Sequence, residues 1–187
     1  MTQTSDPRLA HVGGRIRSVR EGHGWSLSRL AAAAGIGKGT LSELEQGARN
    51  PTLETLYALA GALGVPLASF VAGSERAPHV PGRTVDATLL DVRTLPDGTV
   101  VESYHLAIRP GRRESPGHGP GVVEHLFLVR GDAVVGRVGA GRSLRPGESW
   151  TWGSDVPHAY ASEEGAEGVL TIVNPARADA AAAEGGG

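Results

Sequence analysis

A small set of polar residues lies on the outer face of a helix predicted from Lys38 to Gln46. Leu41 and Leu44 have the spacing of its inward face, and Gly47 ends the helix. The outer face then carries Lys38, Gly39, Ser42 and Glu43. An ammonium group in this position can bind a guanine edge or merely a phosphate, and hydroxyl and carboxylate groups can also read bases. The alternative is an ordinary helical hairpin whose polar face meets only water.

A preceding short helix would hold this one in position. Its apolar stripe has the spacing i, i+3, i+4 and i+7 and consists of Leu27, Leu30, Ala31 and Ala34. Ser26 can cap its first free N–H groups, and Gly35 can end it. Two short helices joined through a glycine match the helix-turn-helix pattern, in which the second helix enters the major groove of DNA.

Further helices are predicted on both sides of this pair. The upstream helix has an apolar side formed by Val12, Ile16 and Val19. Downstream, Thr52 is the expected cap of another helix, which Gly64 ends. A last helical turn then runs from Pro66 to Phe70. Together these short helices can bury one small core.

Residues from about Arg8 to Phe70 resemble the lambda-repressor-like (Xre) DNA-binding domain. The matching signature is IRSVREGHGWSLSRLAAAAGIGKGTLSELEQGARNPTLETLYALAGALGV. The resemblance implies binding to double-stranded DNA as a homodimer, with base-facing residues Lys38, Gly39, Thr40, Ser42 and Glu43. It implies that Ser28, Arg49 and Asn50 lie near the phosphates, and that Arg20 and Glu45 form a structural ion pair.

The composition excludes several classes of protein. The chain has 187 residues, no cysteine and a net charge of −2, so it has neither a disulfide framework nor a thiolate metal site. No apolar run approaches transmembrane length, and the N-terminus MTQTSDPR lacks a signal-peptide pattern. We therefore predict a cytoplasmic protein with no membrane partner. The charge is uneven, because residues 1–73 carry seven Lys and Arg against five Asp and Glu, whereas the rest carries eleven against fifteen.

The second half has a different pattern from the first. Residues 72–83 hold two prolines and two glycines and read as a linker after a helix-turn-helix domain at 8–71. Short β-rich runs then alternate with turn segments such as PGRRESPGHGPG and GAGRSLRPG over residues 84–175, which favours an antiparallel sandwich or barrel. Residues 176–187 read as a flexible tail. The predicted fold class is therefore a multidomain α+β chain, all-α first and all-β second.

Two stretches of the β-rich half resemble the two cupin motifs. They are PGHGPGVVEHLFLVRGDAVVGRV and LRPGESWTWGSDVPHAY, with the marker residues His118, Glu124, Gly131, Pro146, Gly147, Pro157 and His158. The resemblance covers most of residues 89–174 and implies a small double-sheet jelly roll. Over nearly its full length, the chain resembles Xre-family transcriptional regulators with a C-terminal cupin sensor domain.

The cupin resemblance implies a metal site at His118, Glu124 and His158. Two imidazoles and one carboxylate suit a divalent metal such as Fe, Zn, Mn or Ni and leave coordination positions open. The family's first motif usually offers an H-x-H pair, but this chain has only His118, in the stretch Pro116-Gly117-His118. The alternative is that the three side chains hydrogen-bond within a barrel that binds an organic ligand or nothing.

Strand alternation separates neighbouring candidates from this set. Glu124 and His125 are adjacent on a predicted strand and should point to opposite faces, so we expect His125 to pack or to lie at the surface. His105 is expected to be structural. Trp152 and Tyr160 flank the second motif, where they would either wall a ligand pocket or belong to the core.

The sequence leaves three functions open. The first is a sequence-specific transcriptional regulator whose cupin domain binds a small-molecule effector and which is not an enzyme. The second is a non-haem metal-dependent cupin enzyme with two His and one Glu, acting on a small substrate such as a phosphonate. The third is a metabolite-binding protein whose helical domain serves only for dimerisation.

Overall fold

The computed structural model describes residues 7–71, 79–80, 82 and 84–176, so the predicted tail lies outside the described residues except for Ala176. The N-terminal domain contains five helices: α1 (Pro7–Gly22), α2 (Leu27–Ala33), α3 (Lys38–Glu45), α4 (Leu53–Leu63) and α5 (Ala68–Val71). None of the helices in the described ranges is long and apolar enough to cross a membrane.

Local capping explains where these helices begin and end. The Ser26 Oγ accepts a hydrogen bond from the Arg29 amide at the start of α2, and the Thr52 Oγ1 accepts one from the Thr55 amide at the start of α4. Gly64 ends α4 in the left-handed region, with φ of 60°. The α3 helix begins after Gly37, which has no side chain with which to cap it.

The helical domain has a small core and a buried ion pair. The fully buried side chains in its centre include those of Ile16, Leu30, Leu41, Leu53, Leu56, Leu59 and Phe70. The Arg20 Nε donates to the Glu45 Oε1 over 2.7 Å, and its second terminal nitrogen donates to Oε2 over 2.8 Å. The predicted structural ion pair is therefore confirmed, and it ties α1 to the end of α3.

The second domain contains two antiparallel sheets. The strands are β1 (His79–Val80), β2 (Val85–Thr94), β3 (Val100–Ile108), β4 (Gly111–Ser115), β5 (Val123–Arg130), β6 (Ala133–Arg137), β7 (Arg142–Leu144), β8 (Ser149–Gly153), β9 (His158–Ser162) and β10 (Ala166–Asn174). One sheet has the order β1-β2-β3-β10-β5-β8 and the other the order β4-β9-β6-β7. This is the predicted all-β cupin domain, and β2 to β10 fall within the predicted range 84–175.

Three strands lie in segments for which the sequence predicts turns or a linker. Strand β4 lies inside the supposed turn PGRRESPGHGPG, and β7 lies inside GAGRSLRPG. Strand β1 lies in the predicted linker 72–83 and pairs with β2, with His79 opposite Thr88. These segments are polar or short and have no apolar alternation of their own. They form strands because they pair with a neighbouring strand.

The two domains touch along α4 and α5. The Ala68 amide at the start of α5 donates a hydrogen bond to the Glu102 carboxylate on β3. A Cβ atom built on Gly61 of α4 would lie 3.7 Å from the Gly117 carbonyl oxygen, before strand β5. The end of the barrel near Gly117 therefore faces the helical domain.

Candidate functional site

The polar residues of α3 and its neighbours lie on the free side of the helical domain. Lys38, Gly39 and Glu43 are exposed, and Thr40 and Ser42 are half-buried. The three residues predicted near phosphates, Ser28, Arg49 and Asn50, are also exposed. The Glu43 carboxylate lies 3.6 Å from the Arg49 guanidinium, so these two predicted contacts pair with each other when DNA is absent.

The three predicted metal ligands come together in the barrel. Glu124 points inward from β5, His158 begins β9 in the other sheet, and His118 follows β4 in a loop. The His118 loop is fixed by its amide, which donates to the Ser154 carbonyl oxygen over 2.7 Å. Their ligand atoms all lie within 4.8 Å of one another.

The distances in this triad fit a facial metal site. The Glu124 Oε1 lies 2.9 Å from the His118 Nε2 and 3.4 Å from the His158 Nε2. Ligand atoms at right angles around a metal with bonds of about 2.1 Å would be about 3 Å apart. Two of the three separations are thus close to those that a divalent ion requires.

One nitrogen of His158 supports the same interpretation. Its Nδ1 lies 3.1 Å from the Val156 carbonyl oxygen, which can only accept, so Nδ1 carries a proton. In the neutral ring Nε2 then has a lone pair, is buried and makes no hydrogen bond within the described part of the chain. In the protonated ring Nε2 can donate to the Glu124 carboxylate, which lies 3.4 Å away. A hydrogen bond to a backbone carbonyl is the usual way of orienting a metal-binding imidazole.

The charge of Glu124 is stabilised by both imidazoles. Burial alone would raise the pKa of this carboxyl, but hydrogen bonds and charge from His118 and His158 hold it well below its ordinary value of 4.5. Burial lowers the pKa of His158, yet its hydrogen bond to Glu124 and the carboxylate charge raise it overall above 6.5. The triad therefore holds a permanently ionised carboxylate at neutral pH.

The predicted pocket aromatics are packed around the triad. Tyr160 is buried on β9 and donates its hydroxyl proton to the Glu124 carboxylate. Trp152 on β8 is buried too, and its ring lies edge-on to that of Tyr160 with centroids 5.9 Å apart. The indole Nε1 of Trp152 has no hydrogen-bond partner among the described residues. Both side chains thus line the barrel interior beside the triad.

Two further histidines that the sequence singled out, His125 and His105, lie outside the triad, as expected. The His125 Nδ1 lies 2.7 Å from the Thr151 Oγ1 on the outer face of the sheet. The His105 Nε2 lies 3.7 Å from the Glu167 carboxylate, and its side chain is 46% exposed.

A cavity of about 710 Å³ lies where the two domains meet. From the helical domain it is lined by Tyr57, Gly61, Val65 and Leu67, and from the cupin domain by Glu102, His118, Val122 and Asn174. Trp152 and Tyr160 are not part of this lining. The cavity reaches the triad at His118, and its volume is in the range of small-molecule sites.

Sequence reasoning missed four residues at the contact between the two domains, of which Tyr57 and Glu102 line the cavity. Tyr57 of α4 stacks on His118 with ring centroids 4.8 Å apart, and burial raises the pKa of its phenol far above its usual range. Arg113 of β4 is buried inside the barrel mouth, and the Glu54 carboxylate of α4 lies 3.6 Å from its Nε. Glu102 of β3 is buried among three hydrogen-bond donors.

A signal for these residues exists but is weak. Tyr57 is the one aromatic residue in the apolar run LETLYALAGAL, and Arg113 alternates with outward residues in the stretch RRES. Their proximity to His118 follows from how the two domains pack, which no local pattern contains.

Known proteins resemble both halves of this chain. Residues 16–70 match a family model described as helix-turn-helix. The HTH-type transcriptional regulator SutR of Escherichia coli (strain K12) is 31% identical over 148 residues, which make up 78% of this chain and 83% of that protein. The immunity repressor protein of Bacillus phage phi105 is 37% identical over 60 residues, or 32% of this chain and 42% of that protein.

A solved structure shares the whole architecture. The crystal structure of an HTH_3 family transcriptional regulator from Vibrio cholerae superimposes with a TM-score of 0.76 at 24% identity, covering 91% of this chain and 98% of that chain. At this identity the likeness supports the fold alone. The match to SutR extends well beyond the helical domain, since 148 residues must include much of the barrel. The chain therefore belongs to the Xre family of helix-turn-helix transcriptional regulators that carry a C-terminal cupin domain.

Proposed function

We propose that this regulator binds a specific operator as a homodimer and that its cupin domain binds a small-molecule effector. The observation that carries the proposal is the exposed polar face of α3, on a domain that contacts the end of the barrel where His118 lies. In a dimer of this kind, two recognition helices would enter successive major grooves about 34–36 Å apart. Two half-sites about one helical turn apart are then expected in the operator.

Lys38 offers a direct test of DNA binding, because it is the only lysine of the chain. An amine-reactive reagent can therefore label only Lys38 and the N-terminal amine. We expect DNA from the promoter region of the protein's own gene to protect Lys38 from labelling at moderate salt, while random DNA of equal length protects it much less. Equal protection by both DNAs would contradict sequence-specific binding.

The variant Lys38→Ala distinguishes the two roles left open for this ammonium group. A base contact predicts a loss of about 1–3 kcal/mol on the operator and relaxed specificity at one position. A phosphate contact predicts weaker binding to all sequences and a salt slope smaller by about one unit. Arg17→Ala is the matched control, since Arg17 is an exposed cation on α1 that pairs with Glu21.

The same variant tests whether the helical domain serves only for dimerisation. If Lys38→Ala loses operator binding but keeps the oligomeric state of the wild type in sedimentation measurements, that alternative is excluded. Absence of operator binding by the wild type itself would instead favour it.

The effector site of the proposal is the barrel mouth around the triad. His118, Glu124 and His158 would hold a divalent ion, which would supply open coordination positions for donor atoms of the effector. Tyr160 orients Glu124 through its hydroxyl, and Val156 orients His158 through its carbonyl. These partners keep the three donor atoms converged.

The triad also favours a second candidate, a metal-dependent cupin enzyme. The stacked ring of Tyr57, which covers one side of His118, argues for the regulator, because it connects the site to the DNA-binding domain. The test is to load the protein with Fe(II) and to follow oxygen consumption with a panel of small phosphonates. Turnover with any of them would favour the enzyme.

A further inference from the structure

Arg113 is a buried cation in the mouth of the barrel. It points inward from β4, its side chain is 5% exposed, and its Nε makes no hydrogen bond within the described residues. The nearest carboxylate is that of Glu54, whose Oε1 lies 3.6 Å from this Nε, beyond the usual length of a charge-assisted hydrogen bond. A buried guanidinium in such surroundings is only partly compensated.

Both side chains that contact Arg113 from the helical domain belong to α4. Glu54 and Tyr57 are three residues apart, so they lie on the same side of this helix. The ring of Tyr57 lies 5.3 Å from the guanidinium carbon of Arg113 and stacks on His118 at 4.8 Å. Helix α4 thus presents one carboxylate and one aromatic ring to the cation and to a metal-ligand candidate of the cupin domain.

We propose that Glu54 and Tyr57 act as a built-in substitute for the effector, and that the effector is a small molecule carrying a carboxylate. The effector carboxylate would replace Glu54 at Arg113, and the body of the effector would displace Tyr57 from His118. This inference rests on the effector site proposed above and adds the chemical class of its ligand.

The geometry favours a carboxylate over a neutral ligand for two reasons. The present occupant beside Arg113 is itself a carboxylate, and a planar guanidinium binds such groups through two parallel hydrogen bonds. The loose contact at 3.6 Å leaves that bidentate interaction unmade, so an incoming carboxylate can gain bonds that Glu54 does not supply.

The exchange would reach the DNA-binding surface through the body of α4. Leu53, Leu56 and Leu59 of this helix are fully buried in the helical core, so α4 cannot move independently of α2 and α3. Removing Glu54 and Tyr57 from the barrel mouth would therefore change the position of the whole helical domain. The effector then acts by favouring one of two domain arrangements.

The test measures carboxylate binding by the full-length chain without DNA. Propionate, which has the same end group as the Glu54 side chain, is the probe, and propionamide is its neutral counterpart. A tethered internal carboxylate competes at high effective concentration, so Glu54→Gln should bind propionate about tenfold more tightly than the wild type, measured by calorimetry. Arg113→Gln should lose this binding, while Arg112→Gln, its exposed neighbour on β4, should keep it.

Two results would overturn the inference. One is equal propionate affinity in the wild type and in Glu54→Gln. This comparison does not depend on whether Arg113→Gln folds. The other is equal binding of propionamide and propionate. If inorganic phosphate binds more tightly than propionate, the inference of a carboxylate effector is wrong and the ligand is of the phosphate class. Operator binding is measured on the same preparations. If the operator is bound but propionate shows no effect, only this inference is wrong. If the operator is not bound, the proposed function is wrong.

Discussion

The two ring nitrogens of His158 have different surroundings, and this difference controls when the triad can accept a metal. Nδ1 lies 3.1 Å from the Val156 carbonyl oxygen, and Nε2 lies 3.4 Å from the Glu124 Oε1. Burial lowers the pKa of this ring, but the hydrogen bond and charge of Glu124 raise it overall above 6.5. A proton on Nε2 must leave before a metal can bind, so protons and metal compete at one atom.

We predict that the affinity of the protein for Ni(II) increases with pH around and above 6.5, the ordinary pKa of His158. Below the raised pKa of this ring, each pH unit should strengthen binding by about tenfold, because one proton is displaced. Calorimetry in buffers of different ionisation enthalpy measures both the affinity and the protons released. His158→Gln should lose the high-affinity binding, while His105→Gln, on the outer face, serves as the matched control.

Without added metal, His158 and Glu124 also make the stability of the protein depend on pH. The contribution of His158 to stability falls as the pH rises, whereas the metal affinity increases. Because the pKa of His158 is raised in the folded protein, this ring stabilises the fold fully below pH 6.5. The contribution is lost as the pH rises through the raised pKa of the folded protein. Because the pKa of Glu124 is lowered in the folded protein, this carboxylate stabilises the fold above pH 4.5. Its contribution is lost only in strong acid. Denaturant titrations of wild type and His158→Gln should therefore converge as the pH rises. A metal affinity that does not change with pH would contradict this account.

Residue types predicted the triad but not its surroundings. The motif positions of His118, Glu124 and His158 sufficed because both cupin motifs lie within one domain. Tyr57 and Arg113 could not be predicted, because a contact between two domains leaves no periodic pattern in the sequence of either one. Tyr57 has the spacing of a core residue in α4 and also lies over His118.

At the level of elements, two adjacent glycines of α1 have opposite surroundings. A Cβ atom on Gly13 would lie 2.2 Å from the Leu44 carbonyl oxygen of α3, whereas one on Gly14 would have no atom within 4 Å among the described residues. Gly13 therefore sets how closely α1 approaches α3.

We predict that Gly14→Ala stabilises the protein by about 0.5–1 kcal/mol, since alanine restricts the unfolded chain and fits the exposed helix. Gly13→Ala should instead destabilise it by about 1–3 kcal/mol, because α1 must move away from α3. Urea titrations measure both changes, and operator affinity should fall in Gly13→Ala alone. Equal effects of the two substitutions would show that α1 and α3 are not in close contact.

Helices and strands whose own residues carry a local sequence signal were predictable. Strands that form only by pairing with a neighbouring strand were not. The caps Ser26 and Thr52 and the terminator Gly64 appear where the sequence predicted them. Strand β4 contains Arg113 and Ser115 at its inward positions, so it has no apolar alternation to detect. It forms because β9 pairs along its length, with Arg113 opposite Tyr160.

At the level of the whole molecule, Glu102 connects the helical domain to the barrel. Its carboxylate accepts hydrogen bonds from the Ala68 amide of α5, the Tyr104 hydroxyl and the Asn174 Nδ2. Burial raises the pKa of this carboxyl, and the three donors oppose that rise. The contact is separate from that of Arg113 with Glu54, so it is a second point at which the helical domain is held to the barrel.

We therefore predict that Glu102→Gln loosens the domains without unfolding either one. The amide group of glutamine brings a donor to a place where three donors already converge, and one unmade buried hydrogen bond costs about 1–3 kcal/mol. Hydrogen exchange should accelerate at the Ala68 amide, while amides in the centre of β5 and β10 stay protected. Glu167→Gln, which removes a carboxylate paired with Arg130 on the outer face, should leave Ala68 unchanged. Unaltered exchange at Ala68 in Glu102→Gln would mean that other contacts hold the two domains together.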